Sequence, residues 1–126
     1  TLIEEPIDFI SIDVSFISLR HMFPVASEIL KDAGAVMCLI KPQFEAGREQ
    51  VGKKGIVRDS KIHVEVIENV ISYASDNGLY PHGLDYSPVK GTKGNIEYLL
   101  YLKKTESSEE ISPQEVVNIA HGELDY

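Results

Sequence analysis

Charged residues stand where apolar runs of the sequence give way to turns, and these are the positions where chemistry is expected. Asp13 lies at the end of the run Ile7 to Val14, Lys41 follows the run Ala35 to Ile40, and Glu97 lies inside a later apolar run. A charged lysine could steer an anionic substrate, whereas a neutral lysine could accept a proton from a hydroxyl group. A neighbouring aspartate favours the charged form, and an ordinary ion pair that closes a loop is the simpler alternative.

Glu97 raises a separate question, because a carboxylate within an apolar strand needs either solvent or a partner. It is therefore a solvent-facing residue on an edge strand or a third member of the site. Other chemistries have weaker support. The four histidines are scattered without metal-ligand spacing to Cys38, so no metal site is predicted. No serine nucleophile elbow and no phosphate-binding loop is present in the sequence.

Four apolar runs predict the strands that would carry these residues. The second run has no polar alternation, which is typical of a strand buried on both faces of a parallel sheet. The predicted strands are Ile7 to Val14, Ala35 to Ile40, Leu79 to Tyr86 and Ile96 to Leu102.

Three helices are predicted from apolar spacing and capping residues. The first has an apolar stripe from Leu19 to Ala33 and a stop at Gly34, with Pro24 either in its first turn or at a kink. The second is capped by Asp59 and closed by Asn77 and Gly78. The third begins with a capping box from Ser112 to Glu115 and ends at Gly122.

The order of these elements predicts an α/β fold, with parallel strands first and an antiparallel hairpin last. Ligands of such sheets bind beyond the carboxyl ends of the strands. If the first two strands are neighbours, their ends lie about 4.8–10 Å apart, so Asp13 and Lys41 could meet at one rim.

Charge is unevenly distributed along the chain. The whole sequence carries a net charge of −8, which argues against a free-standing nucleic-acid binder. Residues 41–63, however, hold six basic and three acidic side chains. This segment is either a solvated loop of mixed charge or a loop that meets a phosphate backbone.

Composition limits the class of protein. The chain has 126 residues, 43% of them hydrophobic and 25% charged, which excludes a wholly disordered chain. No apolar run is long enough for a membrane span. A single cysteine in an apolar run indicates a buried thiol and a reducing, cytoplasmic compartment. The chain begins at Thr1 rather than Met, as a piece of a longer protein would.

Several motifs follow one another along the chain: Asp13-Val-Ser-Phe, Lys41-Pro-Gln-Phe-Glu, Gly52-Lys-Lys-Gly-Ile-Val-Arg-Asp, Ser87-Pro-Val-Lys-Gly and Gly94-Asn-Ile-Glu. In this order they resemble the TlyA, or hemolysin A-like, family of ribosomal RNA 2′-O-methyltransferases, which have an FtsJ-like catalytic domain. The resemblance extends from about residue 7 to residue 104 and corresponds to the C-terminal part of the family.

The resemblance implies the C-terminal part of a Rossmann-like methyltransferase sheet, with S-adenosylmethionine as methyl donor and a ribose 2′-hydroxyl of ribosomal RNA, free or in a ribosomal subunit, as acceptor. The family's catalytic set is Lys-Asp-Lys-Glu, and Asp13, Lys41 and Glu97 match its last three members. Its first lysine and the glycine-rich turn that holds the donor would lie upstream of Thr1. Asp13 and Val14 would contact the donor.

The resemblance also divides the chain and assigns its basic segment. Residues 1–104 would form the C-terminal part of the FtsJ-like domain, and residues 105–126 an acidic linker and a helix. The residues expected to hold RNA phosphates are Arg48, Lys53, Lys54 and Arg58.

The chain by itself is expected not to methylate, because half of the donor site would be missing. A truncated sheet would also expose an edge, which predicts self-association. Two alternatives are a non-catalytic RNA-binding module and a membrane-active hemolysin. The second is disfavoured because no membrane-spanning segment or strongly amphipathic basic helix is visible.

Overall fold

The elements of the chain alternate between strands and helices before ending in a hairpin and a final helix. The computed structural model describes residues 7–13, 18–46, 57–90, 94–107 and 110–124. In chain order the elements are β1 (Ile7–Ile12), a 3₁₀ turn (Leu19–His21), α1 (Phe23–Ile29), β2 (Leu30–Ile40), α2 (Pro42–Glu45), α3 (Ser60–Asp76), β3 (Tyr80–Tyr86), β4 (Tyr98–Lys103) and α4 (Pro113–Leu124).

The four strands form one sheet in the order β1-β2-β4-β3. β1 and β2 are parallel, and β4 is antiparallel to both β2 and β3. The predicted α/β class, with parallel strands first and an antiparallel hairpin last, is confirmed. Because β4 runs against β2, its first residue lies at the same edge as the last residues of β1 and β2. We call this edge the rim.

The boundary between α1 and β2 differs from the prediction. The helix ends at Ile29 rather than at Ala33, and Leu30 already begins β2. Gly34 is therefore not a helix stop. A Cβ built on it would lie 2.8 Å from the carbonyl oxygen of Asp8 and 2.7 Å from a methyl carbon of Leu30. The close approach of β1 at a bulge in the β1–β2 register requires a glycine here.

The start of α1 decides between the two readings of Pro24. The proline lies in the first turn of a helix that begins at Phe23, so it does not kink a longer helix. A separate 3₁₀ turn precedes it, and Ser18 Oγ accepts a hydrogen bond from the amide of Arg20 at the start of that turn.

α3 and α4 cover the sheet as the apolar spacing predicts. Asp59 Oδ1 accepts from the Lys61 amide at the start of α3 (2.9 Å), and Gly78, with φ of +73°, follows its end. α4 continues past Gly122 to Leu124, two residues beyond the predicted stop. The shared core joins both helices to the sheet through Val66, Ile67, Val70, Ala74, Val117 and Ala120.

Cys38 lies at the centre of this core. Its side chain is fully buried, and its thiol donates to the carbonyl oxygen of Leu100 (3.6 Å). Burial, with a smaller contribution from the charge of Glu45, raises the pKa of the Cys38 thiol to about 12. A thiolate at this position is therefore not available for chemistry, and the predicted buried thiol is confirmed.

Candidate active site at the sheet rim

Asp13 and Lys41 meet at the rim in an ion pair. Lys41 Nζ lies 2.5 Å from Asp13 Oδ1, with the lysine side chain 13% exposed and the aspartate 65% exposed. The β1–β2 register explains the contact. Asp13 follows Ile12, which pairs with Cys38, so it stands opposite Leu39. Lys41 is two residues past Leu39 and therefore lies on the same face. A mostly buried ammonium needs such a counter-charge.

Glu97 joins the rim from the neighbouring strand. The β2–β4 ladder ends at the pair Ile40 and Tyr98, so the next residues in register are Lys41 and Glu97. Residues that face each other across antiparallel strands have Cα atoms about 5 Å apart. Glu97 is only 6% exposed, and β4, which it immediately precedes, lies inside the sheet. The solvent-facing alternative for Glu97 is therefore wrong.

Gln43 is the partner that the buried carboxylate requires. Its Nε2 donates to Glu97 Oε2 at 3.0 Å. A carboxylate offers only acceptors, so this contact fixes the orientation of the Gln43 amide. The other end of the amide, Oε1, is buried and has no hydrogen-bond partner in the part of the chain that the structure describes.

The five-residue motif that starts at Lys41 includes the single turn α2, and its side chains contact three different parts of the fold. Lys41 caps the turn, Pro42 occupies its first position, and the amides of Phe44 and Glu45 bond back to the Lys41 carbonyl oxygen. The sequence predicts a loop for the segment of residues 41–63, where this motif begins. Instead, its first residues are ordered as a short helix that directs alternate side chains to β1, β4 and the 3₁₀ turn.

Glu45 fixes the chain just after the β1 rim. Its Oε1 accepts from the Ser18 hydroxyl (2.6 Å), and its Oε2 accepts from the Leu19 amide (2.8 Å). Charge-assisted hydrogen bonds of this kind are the strong ones. Neither Gln43 nor Glu45 was a predicted site residue, although both lie in the five-residue motif that starts at Lys41. Their position in that motif was the available signal.

One of the four predicted RNA-binding residues, Arg58, lies within the described part of the chain. Arg48, Lys53 and Lys54, like the predicted donor-binding Val14, lie outside the described residues. Arg58 is described and is exposed. The residue before it, Val57, is fully buried.

Two of the four histidines, which looked scattered in the sequence, come together between α3 and α4. We call His63, His121 and Tyr98 the imidazole cluster. His63 Nδ1 lies 2.7 Å from the Tyr98 hydroxyl and 3.0 Å from His121 Nε2. His63 Nε2 lies 2.7 Å from the carbonyl oxygen of Val57. Burial is the main reason that the pKa of His63 falls from 6.5 to about 4.

Neither a metal centre nor a membrane helix emerges from the residues that the structure describes. Within the described ranges, no group of three or more His, Cys, Asp or Glu side chains is arranged to hold a metal ion. No helix within those same ranges combines the length and the apolar character that crossing a bilayer requires.

Comparison with known families assigns the fold. The model of the FtsJ-like methyltransferase family matches residues 1–104, and the chain belongs to this family. FtsJ-like methyltransferases depend in general on S-adenosylmethionine. The predicted family and fold class are thereby confirmed.

Named relatives and a solved structure show which proteins this chain is similar to. YqxC of Bacillus subtilis, by name a candidate rRNA methyltransferase, is 46% identical over 115 residues, covering 89% of this chain and 41% of that protein. TlyA of Mycobacterium tuberculosis, named a 16S/23S rRNA (cytidine-2′-O)-methyltransferase, is 32% identical over 115 residues, covering 91% and 42%. The solved structure of a candidate hemolysin from Streptococcus thermophilus has a TM-score of 0.91 at 50% identity, covering 98% of this chain and 46% of that one. This chain therefore spans less than half the length of these relatives.

Proposed function

We propose that the rim is the acceptor side of the active site of a ribosomal RNA ribose 2′-O-methyltransferase, and that this chain is part of its catalytic domain. The observation that carries the proposal is the convergence of Asp13, Lys41 and Glu97 from three strands at one edge of the sheet. The name of the Mycobacterium tuberculosis relative, which specifies methylation of rRNA at the cytidine 2′-oxygen, supports the reaction and the substrate. On this view residues 1–104 belong to the catalytic domain, and residues 105–126 are an appended linker and helix.

The charges at the rim fit S-adenosylmethionine. Two carboxylates, Asp13 and Glu97, stand beside one ammonium, Lys41, so the local charge is negative and favours a cation. When bound, this donor supplies a methyl group already activated on a positively charged sulfonium. The exposed carboxylate of Asp13, together with the adjacent Val14, is proposed to hold it.

Lys41 is proposed to orient the ribose hydroxyl for attack. The Lys41 ammonium, held by Asp13, can donate a hydrogen bond to the 2′-oxygen and fix its position. A neutral Lys41 that accepts the hydroxyl proton is the alternative role. In both cases Asp13 and Glu97 hold the head group of Lys41 and balance its charge.

The basic segment is proposed to hold the RNA backbone through Arg48, Lys53, Lys54 and Arg58. Each phosphate contact contributes about 0.7–0.9 to the slope of log affinity against log salt. Replacement of exposed Arg58 by Gln should therefore reduce the magnitude of that slope by about 0.7–0.9, the contribution of one contact.

We also propose that the parent protein is located in the cytoplasm, because its proposed substrate is ribosomal RNA.

The catalytic role is tested with Lys41→Ala in the full-length parent protein. Methylation of ribosomal subunits should fall about 100-fold or more, the scale of a lost positioned acid or base, while donor binding measured by calorimetry is retained. Lys31→Ala is the matched control, because it removes an exposed ion pair with Asp8 at the opposite end of β2, and it should methylate normally. Wild-type turnover by Lys41→Ala would remove the basis of the proposal.

We also propose that the 126-residue chain alone does not methylate, because it covers only 41% of YqxC. Calorimetry with S-adenosylmethionine should show very weak uptake or none, and tight stoichiometric binding would refute this. β1 is an edge strand of the described sheet, and Phe9 on it is 53% exposed, so self-association of the isolated chain is expected. An erythrocyte lysis assay beside the methylation assay separates this function from that of a hemolysin.

A further inference from the structure

The basic segment is held at Val57 through both backbone polar groups of this residue, its amide and its carbonyl. The amide of Val57 donates to Asn95 Oδ1 at 3.0 Å, and its carbonyl oxygen lies 2.7 Å from His63 Nε2. Val57, Asn95 and His63 are all fully buried. Side chains from α3 and from the segment before β4 therefore occupy both backbone groups of the residue that precedes Arg58.

The chemistry of the partners fixes the state of His63. A backbone carbonyl only accepts, so Nε2 must carry the hydrogen and donate to Val57. In the neutral ring Nδ1 is then an acceptor, and it faces the hydroxyl of Tyr98 at 2.7 Å. Burial disfavours the imidazolium form, which would turn this acceptor into a second donor. A neutral ring with its hydrogen on Nε2 is thus the form that satisfies both Val57 and Tyr98.

The same residues flank the rim. Asn95 lies two positions before Glu97, and Tyr98 follows it immediately. Val57 is therefore tied to the two sides of the segment that carries the buried carboxylate. A shift of this segment relative to α3 would have to break hydrogen bonds within a dry core, which is costly.

α4 closes the arrangement from outside. His121 Nε2 lies 3.0 Å from His63 Nδ1, and the two ring centroids are 4.8 Å apart. Val117 and Ala120 of the same helix are buried against the core. The helix therefore covers the ring of His63 and limits its movement.

We propose that His63 is a positioning residue. It holds Val57, and with it the adjacent Arg58 of the basic segment, at a fixed place beside Glu97. The inference rests on the proposed function, since it assigns to the basic segment the task of holding RNA. It adds a residue that contacts neither RNA nor donor, and it accounts for the presence of a buried imidazole between two helices.

Variants in the full-length parent protein separate the hydrogen bond of His63 to Val57 from its contacts with Tyr98 and His121. His63→Leu removes all of these contacts and should raise KM for ribosomal subunits about tenfold, with kcat and donor affinity within about twofold of wild type. His63→Gln keeps a donor for Val57 and should restore KM. His82→Leu is the control, because His82 Nε2 also faces a backbone carbonyl oxygen, that of Thr105, at the far end of the sheet.

A structural readout makes the inference independent of activity. Hydrogen exchange in the Val57–Arg58 peptide should accelerate in His63→Leu and not in His63→Gln or His82→Leu. If the wild-type parent fails to methylate, the proposed function falls while the exchange result still tests the support of Val57. If His63→Leu does not fold, Asn95→Ala releases Val57 from its other side and should raise KM in the same way. Folded variants with unchanged KM and unchanged exchange would overturn the inference.

Discussion

The rim and the imidazole cluster lie on two sides of the same short segment, but they differ in the charge and the solvent exposure of their polar side chains. At the rim, Lys41 is charged and its partner Asp13 is 65% exposed. In the cluster, His63 and Tyr98 are fully buried, and burial keeps the ring neutral. The rim therefore retains charges that a substrate can reach, whereas the cluster uses neutral hydrogen bonds within the core.

This contrast has a physical origin. A buried charge is stable only when it is paired, while a buried neutral ring needs only a donor and an acceptor. Charged groups that must act on a ligand are best placed at a sheet edge, where one partner stays in contact with solvent. Groups that only hold the backbone can be enclosed. Changes at the rim should therefore alter turnover, and changes in the cluster should alter stability and substrate affinity.

Among the variants that test this contrast, the largest effect is expected for Glu97→Gln in the full-length parent protein. The amide keeps the size and an acceptor for Gln43, so it removes only the charge opposite Lys41. We expect kcat to fall about 100-fold, the scale found for loss of one preorganised electrostatic group, with little change in melting temperature. Glu68→Gln, an exposed glutamate on α3, should match wild type in both measurements. A Glu97→Gln protein with lower stability and unchanged turnover would contradict this contrast between the rim and the imidazole cluster.

The next effect concerns stability and pH. The pKa of His63 is about 4 in the folded chain and 6.5 ordinarily, because burial opposes protonation. Between about pH 4 and pH 6.5, the imidazole of His63 therefore binds a proton in the unfolded chain but not in the folded chain. This contribution to stability is complete above pH 6.5 and is lost as the pH falls towards 4, by at most about 3 kcal/mol.

Denaturant unfolding of wild type and His63→Gln across this pH range measures that contribution. The difference between the two curves isolates His63 from the carboxylates. Burial also lowers the pKa of His121, which adds loss of the same sign, while the charge of Asp59 opposes both shifts. Parallel curves for the two proteins would mean that the ring is not held neutral by the core.

A smaller effect is expected for Gln43→Glu in the full-length parent protein. It places a second carboxylate about 3 Å from that of Glu97, so one of the two should take up a proton at a higher pH than usual. We expect activity about tenfold below wild type at pH 8, with recovery as the pH is lowered and the pair returns to a single charge. Gln114→Glu, at an exposed position on α4, makes the same chemical change far from the rim and should leave the pH profile unaltered.

The elements predicted most accurately are those whose signals are local. Asp59 and Asn77 bound α3 as expected, because capping depends on neighbours along the chain. The end of α1 was predicted four residues too late, since Leu30 satisfies the helical spacing equally well. Only its pairing with Ile7 of β1 draws it into the sheet. The role of Gly34 likewise depends on a backbone that is distant in sequence.

The site divides in the same way. Asp13 and Lys41 were identifiable because both follow apolar runs, and parallel strands end at a common edge. The contact between Gln43 and Glu97 was not predicted, because it depends on the register between β2 and β4. The pairing of His63 with His121 spans 58 residues and has no periodic signal in the sequence.

By itself, the sequence determined the type and the chain order of the four strands and of α1, α3 and α4, and it identified two charged residues that close neighbouring strands. These follow from spacing and capping, which act over a few residues. The tertiary structure alone decided that Glu97 is buried opposite Lys41, that Gly34 admits a neighbouring backbone, and that Val57 is held by His63 and Asn95. Such contacts depend on register and helix docking, which are set by the packing of the whole core.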